Sequence, residues 1–295
     1  MRHLLDISDL SSDQLRSVLA LCGTDTRPLE GGGVALIFEK PSNRTRHSME
    51  MAVVALGGHP VYTRGEEIGL DVRESVEDAT RILSGYHRVL AARVFDHATL
   101  RRMSAVAAVP VVNMLSDLAH PLQALADVVT MEEAIGSVDS LEVAWVGDYN
   151  NVARSLAEAV CLLGGSMRLG GPQGHRATDE EVTRLSQLGG SVSVHATPED
   201  TVSGAHVVHT DTWTSMGQES EADARRGIFE GWTVDAALMS QARQGAGFMH
   251  CMPVHRGEEV SAEVMDSRVS LAVRQGHHRL TAARGALRWV LGEDA

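Results

Sequence analysis

The segment at residues 42–46 places hydroxyl, amide and guanidinium groups at the predicted start of a helix. Its members are, in order, Ser42, Asn43, Arg44, Thr45 and Arg46. A helix N-terminus presents unpaired backbone N–H groups and the positive end of the helix dipole, which attract anions. Because arginines alternate with short polar side chains in this first turn, the segment predicts a phosphate site built without lysine. A capped helix start with surface arginines is the plainer alternative.

Two further polar groups follow predicted strands in the same half of the chain. His120 and Gln123 open a helix after an apolar run at residues 109–112, and Arg93 stands at the end of a run at 89–94. An arginine in a sheet core is costly unless it reaches an anion or a carboxylate. These positions at strand ends favour a ligand role. An ion pair for Arg93 and a helix cap for His120 are the alternatives.

Polar clusters also end three predicted strands in the second half, at residues 147–151, 211–217 and 250–257. They include an acid, Asp211, a thiol, Cys251, and several short polar side chains, which together suit a small zwitterionic ligand. Cys251 alone would be more typical of an inert core cysteine, because free cysteine is among the most buried residue types. Gly147 does not begin a G-x-G-x-x-G sequence, so a nucleotide cofactor is poorly supported.

Composition and charge exclude several classes of function. Of 295 residues, 26 are basic and 39 acidic, and the net charge of −13 argues against a surface for nucleic acid or anionic lipid. Lys40 is the only lysine, so a lysine-containing P-loop is absent. The 3 cysteines lack the spacing of a disulfide framework or a C-x-x-C metal site and favour a reducing compartment. We therefore expect a soluble cytoplasmic protein with no membrane segment, cofactor or metal.

Short β-rich runs alternate with helical segments along the whole chain, which is the pattern of parallel α/β sheets. Predicted strands are 34–38, 61–62, 89–94, 109–112, 142–146, 166–169, 191–195, 206–210 and 247–252. Predicted helices are 13–22 behind Ser12 as cap, 45–56, 76–84 behind Ser75, 100–106, 121–135, 152–163, 179–188, 234–243 and 280–291. A polar break at 136–140 divides the chain into two doubly wound domains. Ligands in such sheets bind beyond the carboxyl ends of the strands, so we expect the site in a cleft between the domains.

Taken together, these motifs resemble the transcarbamylase family, and within it the ornithine branch. The family's Ser-Thr-Arg-Thr-Arg loop corresponds to residues 42–46, its H-P-x-Q to 120–123 and its strand-end arginine to Arg93. Its D-x-W-x-S-M-G and H-C-L-P correspond to 211–217 and 250–253, and 147–151 look like its asparagine loop. The resemblance implies transfer of the carbamoyl group of carbamoyl phosphate to the δ-amine of L-ornithine, which gives L-citrulline and phosphate for arginine biosynthesis.

The resemblance also implies individual roles. Carbamoyl phosphate would be held by Ser42, Asn43, Arg44, Thr45, Arg46, Arg93, His120, Gln123, Cys251, Met252 and Arg279. Ornithine would be held by Asn151, Asp211, Ser215 and Met216. The catalytic residues would be Arg93, His120 and Thr45, which face the carbamoyl oxygen, and Cys251, which takes the proton of the amine together with Asp211.

The same resemblance implies a carbamoyl phosphate domain at 1–135, an ornithine domain at 136–275 and a C-terminal helix at 276–295 that crosses back to the first domain. It also implies a homotrimer or a multiple of trimers. Two departures stand out. Asn43 replaces the usual threonine, and Glu67 takes the place of a glutamine that reaches carbamoyl phosphate in a neighbouring subunit. A carboxylate would repel phosphate, so either this loop is placed differently here or Arg73 compensates.

Three alternatives stay open on the sequence. Putrescine or an N-acylated ornithine could be the acceptor, but Asp211 suits a free α-ammonium group, which neither offers. A nicotinamide-dependent dehydrogenase shares the α/β pattern but needs the missing glycine motif. A non-catalytic paralogue that binds the ligands as a sensor is the third alternative.

Overall fold

The computed structural model describes residues 1–23, 26–214 and 219–294. The chain divides into two compact units, residues 1–126 with 277–295 and residues 127–276. The C-terminal segment therefore belongs to the first unit, as predicted. Among the described residues, no helix is both long and apolar enough to cross a bilayer.

The first unit is built around four parallel strands in the order β2-β1-β3-β4. The strands are β1 (Gly33–Phe38), β2 (His59–Arg64), β3 (Val89–Arg93) and β4 (Val111–Leu115). The helices are α1 (Ser12–Leu21), α2 (Asn43–Ala55), α3 (Gly65–Ile68), α4 (Val76–Ser84), α5 (His97–Val106) and the start of α6 (Pro121–Ala134), with a short 3₁₀ helix at Ile7–Asp9. β3 is buried at every position because helices cover both faces of the sheet.

The second unit has five parallel strands in the order β7-β6-β5-β8-β9. The strands are β5 (Glu142–Val146), β6 (Ser166–Gly170), β7 (Ser191–His195), β8 (Val207–Thr210) and β9 (Gly247–His250). The helices are the rest of α6, α7 (Asn151–Leu162), α8 (Asp179–Ser186), α9 (Pro198–Val202), α10 (Ala222–Ile228), α11 (Ala236–Met239), α12 (Ala262–Met265) and the start of α13 (Ala272–Val290), with 3₁₀ helices at Val138–Ser140 and Glu219–Glu221. Two doubly wound parallel sheets confirm the predicted fold class.

Several predicted element boundaries are wrong. Ser11, not Ser12, caps α1, since its side chain accepts from the backbone N–H of Gln14. β4 begins after Pro110, which has no N–H for the ladder, and continues to Leu115. The helix predicted at 234–243 is reduced to α11, and the one predicted to begin at 280 begins at Ala272.

Candidate functional site

Most of the predicted site residues follow strands of the two sheets, and each sheet has one topological switch point. In the first sheet the chain winds outward from β1 to β2 and then returns to β3 on the other side of β1. In the second sheet it winds from β5 to β7 and returns to β8. Ligands of doubly wound sheets bind outside the carboxyl ends of the strands at such points. The segments after β1 and β3, and those after β5 and β8, are therefore candidate positions for ligand.

In the first unit, Ser42 caps α2. The first turn of this helix, residues 42–46, is the predicted phosphate site and is called the anion cradle below. The Oγ of Ser42 accepts the Thr45 backbone N–H at 3.4 Å and donates to Thr45 Oγ1 at 3.0 Å. Asn43 is exposed and Arg44 is half-buried in the first turn. Arg46 is exposed, forms an ion pair with Glu50 and lies over the ring of Tyr62. The anion cradle thus lies at a helix start, as predicted, and the side chain of Arg46 contacts Glu50 and Tyr62.

Arg279 of α13 joins this cradle. Its Nη2 donates to Thr45 Oγ1 at 2.7 Å and its Nη1 donates to Gln123 Oε1 at 3.1 Å. Thr45 Oγ1 therefore accepts two hydrogen bonds, from Ser42 and Arg279, which uses both of its lone pairs. The hydroxyl proton of Thr45 remains as a donor that can point at a ligand.

Arg93, the last residue of β3, and His120, which immediately precedes α6, are both buried. Arg93 pairs with Phe38 in the ladder between β1 and β3, and a bulge at Ala92/Arg93 shifts its register against β4. Such a bulge redirects a side chain at the edge of a sheet. The pKa of His120 lies well below its usual value because the imidazole is buried and the positive charges of Arg279 and Arg93 are close. His120 is therefore a neutral N–H donor beside two cations.

The loop that carries Glu67 is held by its own contacts. The Oε2 of Glu67 accepts the backbone N–H of Arg64 at 3.0 Å and caps α3. Arg73 Nη1 donates to the backbone carbonyl of Glu67 at 2.9 Å. Both side chains thus form hydrogen bonds with backbone groups of this segment.

Asp211 is the centre of the polar cluster in the second unit. Its Oδ2 accepts from Asn150 Nδ2 at 2.9 Å, and its Oδ1 accepts from Cys251 Sγ at 3.0 Å and from the Thr212 N–H at 2.8 Å. Asn150 also caps α7 through its Oδ1. The loops after β5, β8 and β9 therefore meet at one carboxylate, which can receive an ammonium group.

Two further residues predicted to bind the substrates lie next to these contacts in the sequence. Asn151 is half-buried in the first turn of α7, and Met252 follows Cys251 with a backbone φ of 62°. Ser215 and Met216, also predicted to hold ornithine, lie outside the described residues. Asn151 and Met252 thus directly follow Asn150 and Cys251, the two residues whose side chains donate to Asp211.

Sequence reasoning missed Arg225, a buried arginine on α10. It donates from Nη2 to Asp148 Oδ2 and from Nε to the carbonyl of Trp213. Asp148 lies in the loop after β5, and Trp213 lies in the loop after β8. His175 Nδ1 is 3.2 Å from the other oxygen of Asp148. Arg225 thus joins the two loops that surround Asp211, although only a pair of arginines in a helix signals it in the sequence.

Within residues 1–23, 26–214 and 219–294, two groups of side chains have donor atoms close enough to hold a metal ion. The first is Asp211, His250 and Cys251, and the second is His255, Glu258 and Glu259, each within 4.8 Å. In the first group both His250 nitrogens already have partners, the Met252 N–H and Glu259 Oε1. In the second, Glu258 lies 3.5 Å from Arg226. Protein contacts thus compete with a metal in both groups.

Comparison with protein families covers nearly the whole chain. Residues 2–133 match the model for the aspartate/ornithine carbamoyltransferase carbamoyl-P binding domain, and residues 139–290 match that for the Asp/Orn binding domain. The chain belongs to the aspartate/ornithine carbamoyltransferase family. The resemblance inferred from the motifs is therefore confirmed.

Two relatives that are similar to this chain are named ornithine carbamoyltransferases. The ornithine carbamoyltransferase of Hyperthermus butylicus is 42% identical over 98% of this chain and 97% of that protein. The anabolic ornithine carbamoyltransferase of Pyrococcus furiosus is 40% identical over 99% of this chain and 96% of that protein. This carbamoyltransferase chain therefore matches both relatives along essentially their full length.

Solved structures of the family agree with the fold. The Pyrococcus furiosus ornithine carbamoyltransferase structure superposes with a TM-score of 0.94 at 39% identity and covers 100% of this chain and 98% of that chain. The Thermus thermophilus ornithine carbamoyltransferase structure gives a TM-score of 0.90 at 38% identity, with 98% of both chains covered. The two doubly wound sheets are thus those of the carbamoyltransferase family.

Proposed function

We propose that this carbamoyltransferase transfers the carbamoyl group of carbamoyl phosphate to the δ-amine of L-ornithine and releases L-citrulline and phosphate. The observation that carries the proposal is the Asp211 carboxylate, joined to Asn150 and Cys251 in the unit that matches the Asp/Orn binding domain. A carboxylate there suits the α-ammonium group of ornithine. Relatives with about 40% identity that are named ornithine carbamoyltransferases support the same acceptor.

We assign phosphate binding to the first unit. The backbone N–H groups at the start of α2 would meet the phosphate, with Ser42, Asn43, Arg44, Thr45 and Arg46 around it. Arg279 adds a third guanidinium, already directed at Thr45 and Gln123. Positive charge and helix N–H groups stabilise the phosphate as it leaves, because its negative charge grows when the bond to the carbamoyl carbon breaks.

The carbamoyl oxygen would be met by Thr45, Arg93 and His120. Attack by the amine gives a tetrahedral intermediate in which this oxygen becomes negative. Donors already in place stabilise that charge, and removing one such donor typically costs roughly 3 to 4 kcal/mol in the barrier. The neutral state of His120 fits this role, since it donates an N–H without adding a third cation.

The acceptor would be held in the second unit by Asn151, Asp211, Ser215 and Met216. Its δ-amine has a pKa close to that of lysine, about 10.4, so it must lose a proton before attack. Cys251, whose thiol donates to Asp211, is the proposed group that orients the amine and, as a thiolate after its own proton has left to solvent, receives the proton of the amine, with Met252 beside it. The rate should therefore rise as the pH increases above neutrality.

The biological setting follows from the same proposal. Arginine biosynthesis is favoured, with the anabolic Pyrococcus furiosus relative in support. The family resemblance supports a homotrimer or a multiple of trimers. None of the three described cysteines is in a disulfide, in keeping with a cytoplasmic enzyme.

Citrulline formation tests the proposal directly. Carbamoyl phosphate is supplied with L-ornithine, aspartate, putrescine or N-acetylornithine in parallel, and the carbamoylated product is identified. Turnover with ornithine alone is the expected result. Turnover with another amine would retain the phosphate site and overturn the acceptor assignment, whereas no turnover with any amine would favour a ligand-binding paralogue.

A further inference from the structure

The turn that carries Cys251 is held by side chains that no catalytic role accounts for. His250 N–H donates to Gln275 Oε1 at 2.9 Å, which fixes the end of β9. The Met252 N–H donates to His250 Nδ1 at 2.9 Å, which folds the chain back over the histidine. Met252 has a φ of 62°, a left-handed conformation that is unfavourable for a side chain other than glycine. The His250 contact therefore stabilises a strained residue next to Cys251.

The hydrogen bonds of His250 define its tautomer. Nδ1 accepts the Met252 N–H, so in the neutral ring the proton is on Nε2. Nε2 lies 3.0 Å from Glu259 Oε1, and both side chains are fully buried. A carboxylate oxygen accepts hydrogen bonds and does not donate when ionised, so Glu259 stabilises the Nε2–H form. That form is the one that leaves Nδ1 available to Met252.

Glu259 is itself fixed in position. The same Oε1 atom accepts the His255 backbone N–H at 2.7 Å, so it anchors the chain on both sides of residues 251–254. Gln275 is equally restrained, because its Nε2 lies 2.6 Å from Asp127 Oδ1 and 2.9 Å from His209 Nε2. The turn thus stands between two buried polar anchors.

We propose that Glu259 and His250 form a positioning pair for carbamoyl transfer, in which Glu259 selects the Nε2–H tautomer of His250 and His250 Nδ1 holds the Cys251–Met252 turn in its reactive shape. This inference rests on the proposed function only for its kinetic consequence. The effect on the turn itself is independent of which amine is carbamoylated.

A matched pair of substitutions at His250 separates positioning from simple packing. In His250→Asn the amide oxygen can occupy the position of Nδ1 and still accept the Met252 N–H. In His250→Gln the amide reaches the position of Nε2 near Glu259 but leaves Met252 without its acceptor. We expect His250→Gln to lower kcat by about 10- to 100-fold, and His250→Asn to stay within about threefold of the parent, because a lost buried acceptor is the costlier change.

A second pair at Glu259 tests the tautomer. Glu259→Gln retains an oxygen that can accept from both His250 and His255, whereas Glu259→Met removes it at similar length. Glu259→Gln should retain most of kcat, and Glu259→Met should lower it by about 10-fold or more, with melting temperatures measured for all four variants. Equal losses within each pair, or losses that follow the melting temperatures alone, would overturn the positioning role.

Alkylation of Cys251 supplies a readout that does not need activity. Iodoacetamide labelling is followed by peptide mass spectrometry, which distinguishes Cys251 from the other thiols. Loss of the turn should free the thiol from Asp211, so His250→Gln and Glu259→Met should label faster than the parent and than His250→Asn and Glu259→Gln. Identical labelling rates in all five proteins would overturn the inference, even if the parent forms citrulline. Absence of citrulline in the parent would overturn the proposed function alone.

Discussion

Arg279 Nη2 donates a 2.7 Å hydrogen bond to Thr45 Oγ1 across 234 positions of the sequence. The same guanidinium reaches Gln123, so one side chain of α13 joins the first turns of α2 and α6 in the first unit. Arg279 is 7% exposed, which means that its charge acts with little screening by water. The proposed phosphate site of this unit thus depends on a residue of α13.

Arg279→Gln should therefore impair carbamoyl phosphate selectively. We expect kcat/KM for carbamoyl phosphate to fall by about 10- to 100-fold, because a charged donor to the ligand and to Thr45 is lost. Arg279→Lys should restore only part of it, since an ammonium group lacks the fork that reaches two partners. Steady-state kinetics with each substrate varied in turn is the measurement, and a larger effect on ornithine would contradict this role.

Arg93→Ala tests stabilisation of the carbamoyl oxygen. Loss of one preorganised donor should lower kcat by about 100- to 1,000-fold, while circular dichroism and the melting temperature show a retained fold. Arg81→Ala is a suitable control, because Arg81 is exposed and pairs only with Asp78 among the contacts described. A near-normal kcat in Arg93→Ala would refute its assigned role.

The lowered pKa of His120 makes a prediction about pH dependence. A histidine whose pKa is depressed is uncharged above its unperturbed value of about 6.5, so its protonation adds no inflection between about pH 6.5 and 9. We expect kcat/KM for carbamoyl phosphate to lack a histidine step in that range, while the rate with ornithine rises as the amine loses its proton. His120→Gln should lower the plateau without moving the rise. An inflection near pH 6.5 that disappears in His120→Gln would contradict a neutral imidazole.

Local patterns in the sequence predict those strands and helix starts whose signals lie within a few residues. Strands such as β1 and β3 are apolar runs buried on both faces, and Ser75 caps a helix as expected, because these signals lie within a few residues. The full length of α13 was not predictable in this way. Gly276 lowers the helix propensity of that segment, yet the helix continues through it, because tertiary packing outweighs a cost of roughly 1 kcal/mol.

The contacts within the site depend on residues that are distant in sequence. The link between Asn150 and Asp211 spans 61 positions, and the one between Arg225 and Asp148 spans 77. No periodicity relates such residues, and only the order of the strands brings their loops together. Motif residues such as Asp211 could be named from the sequence, whereas residues that hold the surrounding loops, such as Arg225, could not.

Asp211→Asn tests the acceptor site. The amide keeps the size of the side chain but removes the charge that an α-ammonium group requires, so KM for ornithine should rise by about 10-fold or more with little change for carbamoyl phosphate. Asp235→Asn is a matched control, since Asp235 caps α11. Equal weakening of both substrates by Asp211→Asn would indicate a general disturbance of the fold.

Arg225 makes the last prediction, because it supports the acceptor site without belonging to it. Its guanidinium bonds to Asp148 and to the Trp213 carbonyl, so Arg225→Gln should let the loops after β5 and β8 separate around Asp211. The expected result is a rise of about 10-fold or more in KM for ornithine, with the KM for carbamoyl phosphate unchanged. Arg225→Lys should recover little, since one ammonium group cannot replace both bonds of the planar fork.

Arg226→Gln is the control, because this neighbour is largely exposed and pairs with Asp223 and Glu258. If Arg225→Gln and Arg226→Gln gave the same kinetics, the loops would be held by other contacts, and Arg225 would have no part in forming the acceptor site.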